Sequence, residues 1–187
     1  MTRCRTRGWS WALALGACAA APAGNLALAD LDGARHAPLQ VADGTVHVLV
    51  FVSHECPIAN AYAPTLRALA AAWSSQPVRL FLVHVDPDLT PAAARAHAAG
   101  YELPGTVVLD GGALARAVGV TRTPEAVVWT RRGLAYRGRI DDQWRGLGTR
   151  APAASRHDLQ AAVAAVLAGR EVATPFPPAI GCLLPDG

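Results

Sequence analysis

Short apolar runs alternate along this chain with stretches whose larger apolar side chains return every three or four positions, a pattern that predicts strands and helices in turn. Residues 46–52 (VHVLVFV) are rich in β-branched side chains, as suits a strand covered on both faces in a mostly parallel sheet. From Ile58 the large side chains recur at Tyr62, Leu66, Leu69 and Trp73, which predicts one helix to residue 73 with Pro57 in its first turn. Residues 78–85 (VRLFLVHV) read as a second buried strand. Thr90-Pro91 then offers an N-cap and a first-turn proline for a helix ending near Gly100. A short strand at 106–109 and an alanine-rich helix at 111–118 follow. The strand at 126–130 turns at Arg131-Arg132-Gly133 into residues 134–139, an antiparallel hairpin. The last helix is expected from Ser155, with Asp158 three residues on in a capping-box arrangement, to Gly169. Parallel βαβ units, then a hairpin and a closing helix, make an α/β sandwich of one domain.

Between the first strand and its helix stands Cys56, in the polar junction Ser53-His54-Glu55-Cys56-Pro57. A thiol at a helix start faces unpaired backbone N–H groups, which favour the thiolate and lower its pKa. A lone cysteine is otherwise a small buried hydrophobe, but those sit inside apolar runs and this one does not. His54 and Glu55 are the neighbours able to move protons, although a carboxylate beside the thiol opposes its ionisation.

The amino terminus has the form of an export signal: Arg3, Arg5 and Arg7, an apolar stretch over residues 9–21, then small residues. Two ends compete for it. Ala27-Leu28-Ala29 before Asp30 has the small-x-small pattern of ordinary cleavage, whereas Leu15-Gly16-Ala17-Cys18 resembles a lipobox that would leave an acylated Cys18 first. Either places the remaining chain outside the cytoplasm, in the periplasm, where disulfides persist. All 17 basic residues are arginine; removing Arg3, Arg5 and Arg7 leaves 14 against 14 acidic residues. A neutral chain without basic runs speaks against nucleic acid as a partner. With Cys4 gone and Cys18 gone or lipidated, Cys56 and Cys182 remain, 126 positions apart (182 − 56). A bridge across so long a loop is worth roughly 4–5 kcal/mol on the chain-entropy model. Cys182 lies in a proline-rich tail, residues 171–187, and is equally readable as a lone thiol on a mobile end.

These residues carry a resemblance. A strand, Cys56 at a helix start, Pro64 within that helix, the Thr123-Pro124 turn, then a hairpin and a terminal helix resemble the thioredoxin fold over about residues 36–170. More narrowly, Phe51 with Cys56-Pro57, Ala115 with Gly119-Val120-Thr121 and Thr123-Pro124-Glu125, Tyr136 with Gly138-Arg139-Ile140-Asp141-Asp142, and a terminal Gly181-Cys182 resemble secreted redoxins near the AhpC/TSA and thiol-disulfide oxidoreductase families. The resemblance implies a thioredoxin-like three-layer α/β/α sandwich with a central mixed sheet. It also implies a cis Thr123-Pro124 bond packed beside Cys56 and Pro57, with the Thr123 backbone pairing with an extended substrate. No cofactor and no resident metal are implied. The partner would be a thiol or disulfide protein, or a small thiol or peroxide, and a membrane would be met only through a lipid on Cys18.

Departures from the family pattern narrow the chemistry. Ala59 stands where a thioredoxin keeps its second cysteine, so local disulfide cycling is closed, and Val50 stands where it keeps a buried acid. Resolution of a mixed disulfide or sulfenic acid on Cys56 must come from Cys182 or from an external thiol. For peroxide, Ser53 could supply a hydroxyl and Arg122 or Arg139 a cation. A non-catalytic binding module is a second reading. Copper(I) handling by Cys56, His54 and Cys182 is a third, weakened because Asn60 stands where thioredoxin-fold chaperones place their second cysteine. Glu125 and the Asp141-Asp142 pair, at the ends of the hairpin strands, read as solvated turn carboxylates.

Overall fold

The computed structural model describes residues 26–184. The arginine-led leader with Cys4 and Cys18 lies outside them. After two short pairing strands, β1 (Leu28–Ala29) and β2 (Arg35–His36), the chain enters the centre of the molecule as β3 (Val46–Val52). Every residue of β3 is buried, as its unbroken apolar run requires. Two helices follow, α1 (Pro57–Ala61) and α2 (Ala63–Trp73), where the periodicity predicts one. Pro64 is the cause: it has no N–H to return to the Asn60 carbonyl, and the helical ladder breaks at Tyr62.

Next come β4 (Val78–His84), α3 (Pro91–Gly100), β5 (Thr106–Leu109) and α4 (Ala113–Val118). Thr90 caps α3 as expected, its Oγ1 accepting from the Ala93 amide at 3.2 Å. The two-residue strand β6 (Arg122–Thr123) leads through the Pro124 turn into the hairpin β7 (Glu125–Thr130) and β8 (Gly133–Gly138). A small ribbon, β9 (Trp144–Gly146) and β10 (Thr149–Arg150), precedes α5 (Asp158–Leu167), and the chain closes on β11 (Cys182–Leu183).

The main sheet runs β5-β4-β3-β7-β8, with β3, β4 and β5 parallel and β7 and β8 antiparallel to their neighbours. Alternate residues of β3 point to opposite faces. Val48 and Val50 join Leu66, Leu69, Trp73, Leu159 and Val163 from α2 and α5 in one core. Leu49 and Phe51 meet Phe81, Leu114 and Val118 from β4 and α4 in the other, to which Leu28 adds its side chain. Each such side chain contributes about 1.5–3 kcal/mol by leaving water. The fold is therefore the expected three-layer sandwich around a mixed sheet, with Cys56 at the carboxyl end of its central strand.

Two expectations fail on charge. The last helix starts at Asp158 and not at Ser155, because the capping-box partners are taken elsewhere: Ser155 donates its amide and hydroxyl to the Asp142 carboxylate. Asp158 accepts from Arg139 Nε at 2.7 Å, and charge-assisted bonds of this kind outbid a neutral cap. Nor are Glu125 and Asp141 solvated. Both are buried, Glu125 accepting from the Thr121 amide and Asp141 from Tyr62 Oη at 2.6 Å. Among the described residues no helix is long and apolar enough to cross a membrane.

Candidate active site

Cys56 is the N-cap of α1, its backbone extended and its carbonyl accepting from the Asn60 amide at 3.0 Å. The side chain points inward, with only 2% of the residue exposed. The thiol donates to the Thr123 carbonyl at 3.1 Å. Thr123 is there because β7 pairs with β3 in a register that sets Glu125 opposite Phe51. That register brings the Thr123-Pro124 bond, which is cis, against the end of β3.

The carboxyl-terminal tail completes this side. It follows the edge of the sheet, the Arg137 and Arg139 amides donating to the Pro175 and Pro177 carbonyls, then crosses over as β11 and pairs antiparallel with β6. Cys182 lies opposite Thr123, and its sulfur is 2.8 Å from that of Cys56. So close an approach requires glycine at 181, since a Cβ there would overlap the Thr123 carbonyl. Cys182 is thus not on a mobile end. Both thiols are free.

The pair is electrostatically asymmetric. Burial opposes ionisation of Cys56, but the Cys182 S–H and the amides of Ala59 and Cys182 outweigh it and hold its pKa below the ordinary thiol value. Because α1 has five residues, particular amides rather than a long helix dipole carry the effect. Cys182 moves the other way. Burial, and then its hydrogen bond and proximity to the Cys56 sulfur, push it up to about 11.

A cleft of about 660 Å³ opens beside the two sulfurs. Its other wall is a side-chain network absent from the sequence expectations. Asp86, just past β4, accepts from Ser53 Oγ at 2.5 Å and from the His54 amide at 3.1 Å, which ties down the junction that presents Cys56. Burial opposes the Asp86 charge, yet bonds from His84, Ser53 and His54 prevail and keep it well below the usual carboxylate range. Behind it lie His84, His97 and Asn60. The available signal was position: residues at the carboxyl ends of parallel strands face the ligand side of an open sheet.

Of the residues singled out from sequence, Cys56, Cys182, Ser53 and Thr123 meet at this cleft, with Pro57 and Pro124 flanking them. Ser53 gives its proton to Asp86, so its hydroxyl is committed to the loop. Arg122 does not line the cleft. It precedes Thr123 on a strand, where successive side chains point to opposite faces. Arg139 is held by Asp158 instead. Among the described residues no three His, Cys, Asp or Glu side chains are arranged to hold a metal ion.

The family model for redoxins matches residues 17–135, and the chain belongs to the redoxin family. Its fold is thioredoxin-like and its role a thioredoxin-like redox one. A hypothetical protein of Sinorhizobium meliloti 1021 superposes with a TM-score of 0.72 at 27% identity, over 84% of this chain and 88% of its own. An uncharacterised conserved protein of Geobacillus kaustophilus gives 0.74 at 23%, over 86% and 89%, a likeness of fold. A secreted disulfide oxidoreductase of Mycobacterium tuberculosis, homologous to DsbE of Escherichia coli, gives 0.56 at 26%, over 78% and 99%. Comparison with curated proteins returns no match.

Proposed function

We propose that this redoxin is an extracytoplasmic thiol-disulfide oxidoreductase in which Cys56 attacks and Cys182 resolves. The observation that carries the reading is the 2.8 Å approach of the two sulfurs, made by a tail strand hydrogen-bonded beside Thr123. The Cys56 thiolate attacks one sulfur of an external disulfide; a sulfur–sulfur bond forms, and the other half leaves as a thiolate that takes up a proton. Cys182 then loses its proton and attacks Cys56. The second half leaves, and the chain carries a Cys56–Cys182 disulfide while the substrate has gained two electrons and two protons. Run backwards, the same steps oxidise a dithiol partner. The asymmetry suits this order, since the thiol with the lower pKa is the better-populated thiolate at neutral pH. Peroxide reduction has less support, because the Ser53 hydroxyl is engaged by Asp86 and Arg122 does not line the cleft.

Export is supported by the arginine-led apolar leader and by the likeness to a secreted oxidoreductase. Between its two candidate ends, the place of Leu28 in the core and the pairing of β1 with β2 favour cleavage before Cys18, since cleavage after Ala29 removes β1. The experiment is to expose the exported protein to a small disulfide, block free thiols and map the products by mass. An internal Cys56–Cys182 bridge is expected, and persistence of two blocked thiols sinks the reading.

A further inference from the structure

Behind the Asp86 wall, one fully buried and one half-buried imidazole each keep a buried nitrogen unpaired. His84 is completely buried, and its ring centroid is 5.0 Å from that of His97, which is 6.4 Å from that of His54. Their tautomers follow from their partners. Asp86 accepts from Ser53 and from the His54 amide, and a carboxylate only accepts; His84 Nδ1, 3.3 Å from Asp86 Oδ2, therefore carries hydrogen and leaves a lone pair on Nε2. Asn60 donates through Nδ2 to the His54 carbonyl, so its Oδ1 accepts. His97 Nε2 is then the donor across 2.8 Å, and its lone pair falls on Nδ1. Neither His84 Nε2 nor His97 Nδ1 has a hydrogen-bond partner among the described residues. His54 Nδ1 is also unpaired, lying 3.3 Å from Asp86 Oδ2 without the alignment of a hydrogen bond.

Charge gives these bases a purpose. The cleft is lined by Glu55, Asp86 and Asp88 and by no arginine. Ionising Cys56 adds another negative charge there, and among the lining side chains His54 alone can carry a positive one.

We propose that His84 and His97, linked to the cleft through Asp86 and His54, hold the proton that Cys56 gives up and return it to the thiolate that leaves. This rests on the exchange reading above and deepens it. Cys56–SH and a neutral imidazole become a thiolate and an imidazolium; attack on an external disulfide forms the mixed disulfide, and the departing thiolate takes the imidazolium proton. Atoms and electrons balance at each step with no further reactant. Because the rings do not touch the sulfurs, they act as positioning residues for a proton. The groups facing them are His54 at the β3–α1 junction, Asn60 on α1, Asp86 after β4 and Tyr101 with its ring 4.9 Å from His97, while Glu55, Cys56, Asp88 and Cys182 line the adjoining cleft. Burial, followed by the like charges of His84 and His54, lowers the pKa of His97, so the ring is neutral at neutral pH and its protonation depends on a nearby negative charge such as that of Asp86.

The test is imidazole titration by NMR on the full chain in its dithiol and disulfide forms and in Cys56→Ser. The midpoints of His84 and His97 are expected to shift upward in the dithiol form alone, over the pH range in which Cys56 ionises. The pH–rate profile for reduction of a small disulfide should carry a histidine inflection that His97→Gln removes while the circular dichroism stays native. Equal midpoints in all three samples overturn the proposal, as does an inflection that survives His97→Gln. Failure of the unaltered protein to exchange at all would instead remove the oxidoreductase reading, so the two failures are distinguishable.

Discussion

The two walls of the Cys56 cleft are made of different material. On the tail side the wall is built main chain to main chain: β11 pairs with β6 and the Leu184 amide reaches the Thr121 carbonyl, leaving the Thr123 carbonyl to accept from the thiol. On the β4 side they are side chain to side chain or to loop, centred on Asp86. A backbone wall tolerates most side chains but no change in spacing, whereas a side-chain wall depends on individual functional groups. One wall sets where the second sulfur sits. The other sets the posture of the loop and the charge that the first sulfur feels.

The largest effect comes from removing a sulfur. Cys56→Ser is expected to reduce disulfide exchange to background, and Cys182→Ser to stall with substrate still attached to Cys56, both read by mass after quenching in acid. Next is the backbone wall. Gly181→Val puts side-chain atoms into the Thr123 carbonyl and should push β11 away, so that the internal bridge forms slowly while the core, and hence the circular dichroism, is unchanged. If the bridge forms at the normal rate, the tail pairing is not what aligns the sulfurs. In the unaltered chain, closing that bridge should raise stability by about 4–5 kcal/mol, measured as the difference in denaturant unfolding between oxidised and reduced protein.

The side-chain wall yields a smaller, pH-dependent effect. The pKa of Asp86 is depressed in the folded state, so its stabilisation is fully present above the unfolded value, about 4, and is lost as pH falls through the lower native value. Asp86→Asn should therefore be less stable than the parent at pH 6, with the difference shrinking between pH 4 and pH 2 in urea titrations. A difference that does not depend on pH would show packing and not charge at this position. Smallest is Tyr62→Phe, which removes the donor to buried Asp141 and leaves that carboxylate the Gln143 amide; a loss of about 1–3 kcal/mol is expected.

What was legible in the sequence divides along the same line. Strands β3, β4 and β7 are apolar runs whose burial dictates their pattern, and the Cys56-Pro57 junction and Thr123-Pro124 turn are local signatures, so the thiol's setting could be read directly. The tail could not. Residues 171–184 have no periodicity, and their order comes from backbone bonds to the edge of the hairpin and to β6, which side-chain identity does not announce. The Asp86 network is likewise assembled from positions far apart in the chain, Ser53 and Asp86 being 33 residues apart and Asn60 and His97 being 37. The helix boundaries at Tyr62 and Asp158 were missed because a proline at one, and the Ser155–Asp142 and Arg139–Asp158 bonds at the other, override periodicity and capping propensity.

The most direct test of the division of labour between the sulfurs is peptide-level mass mapping of Cys182→Ser and the unaltered chain after brief exposure to glutathione disulfide. The account predicts a persistent glutathione adduct on Cys56 in the variant, and in the unaltered chain a Cys56–Cys182 bridge with no adduct. An adduct that persists on Cys56 when Cys182 is present, or one that forms first on Cys182, would contradict it.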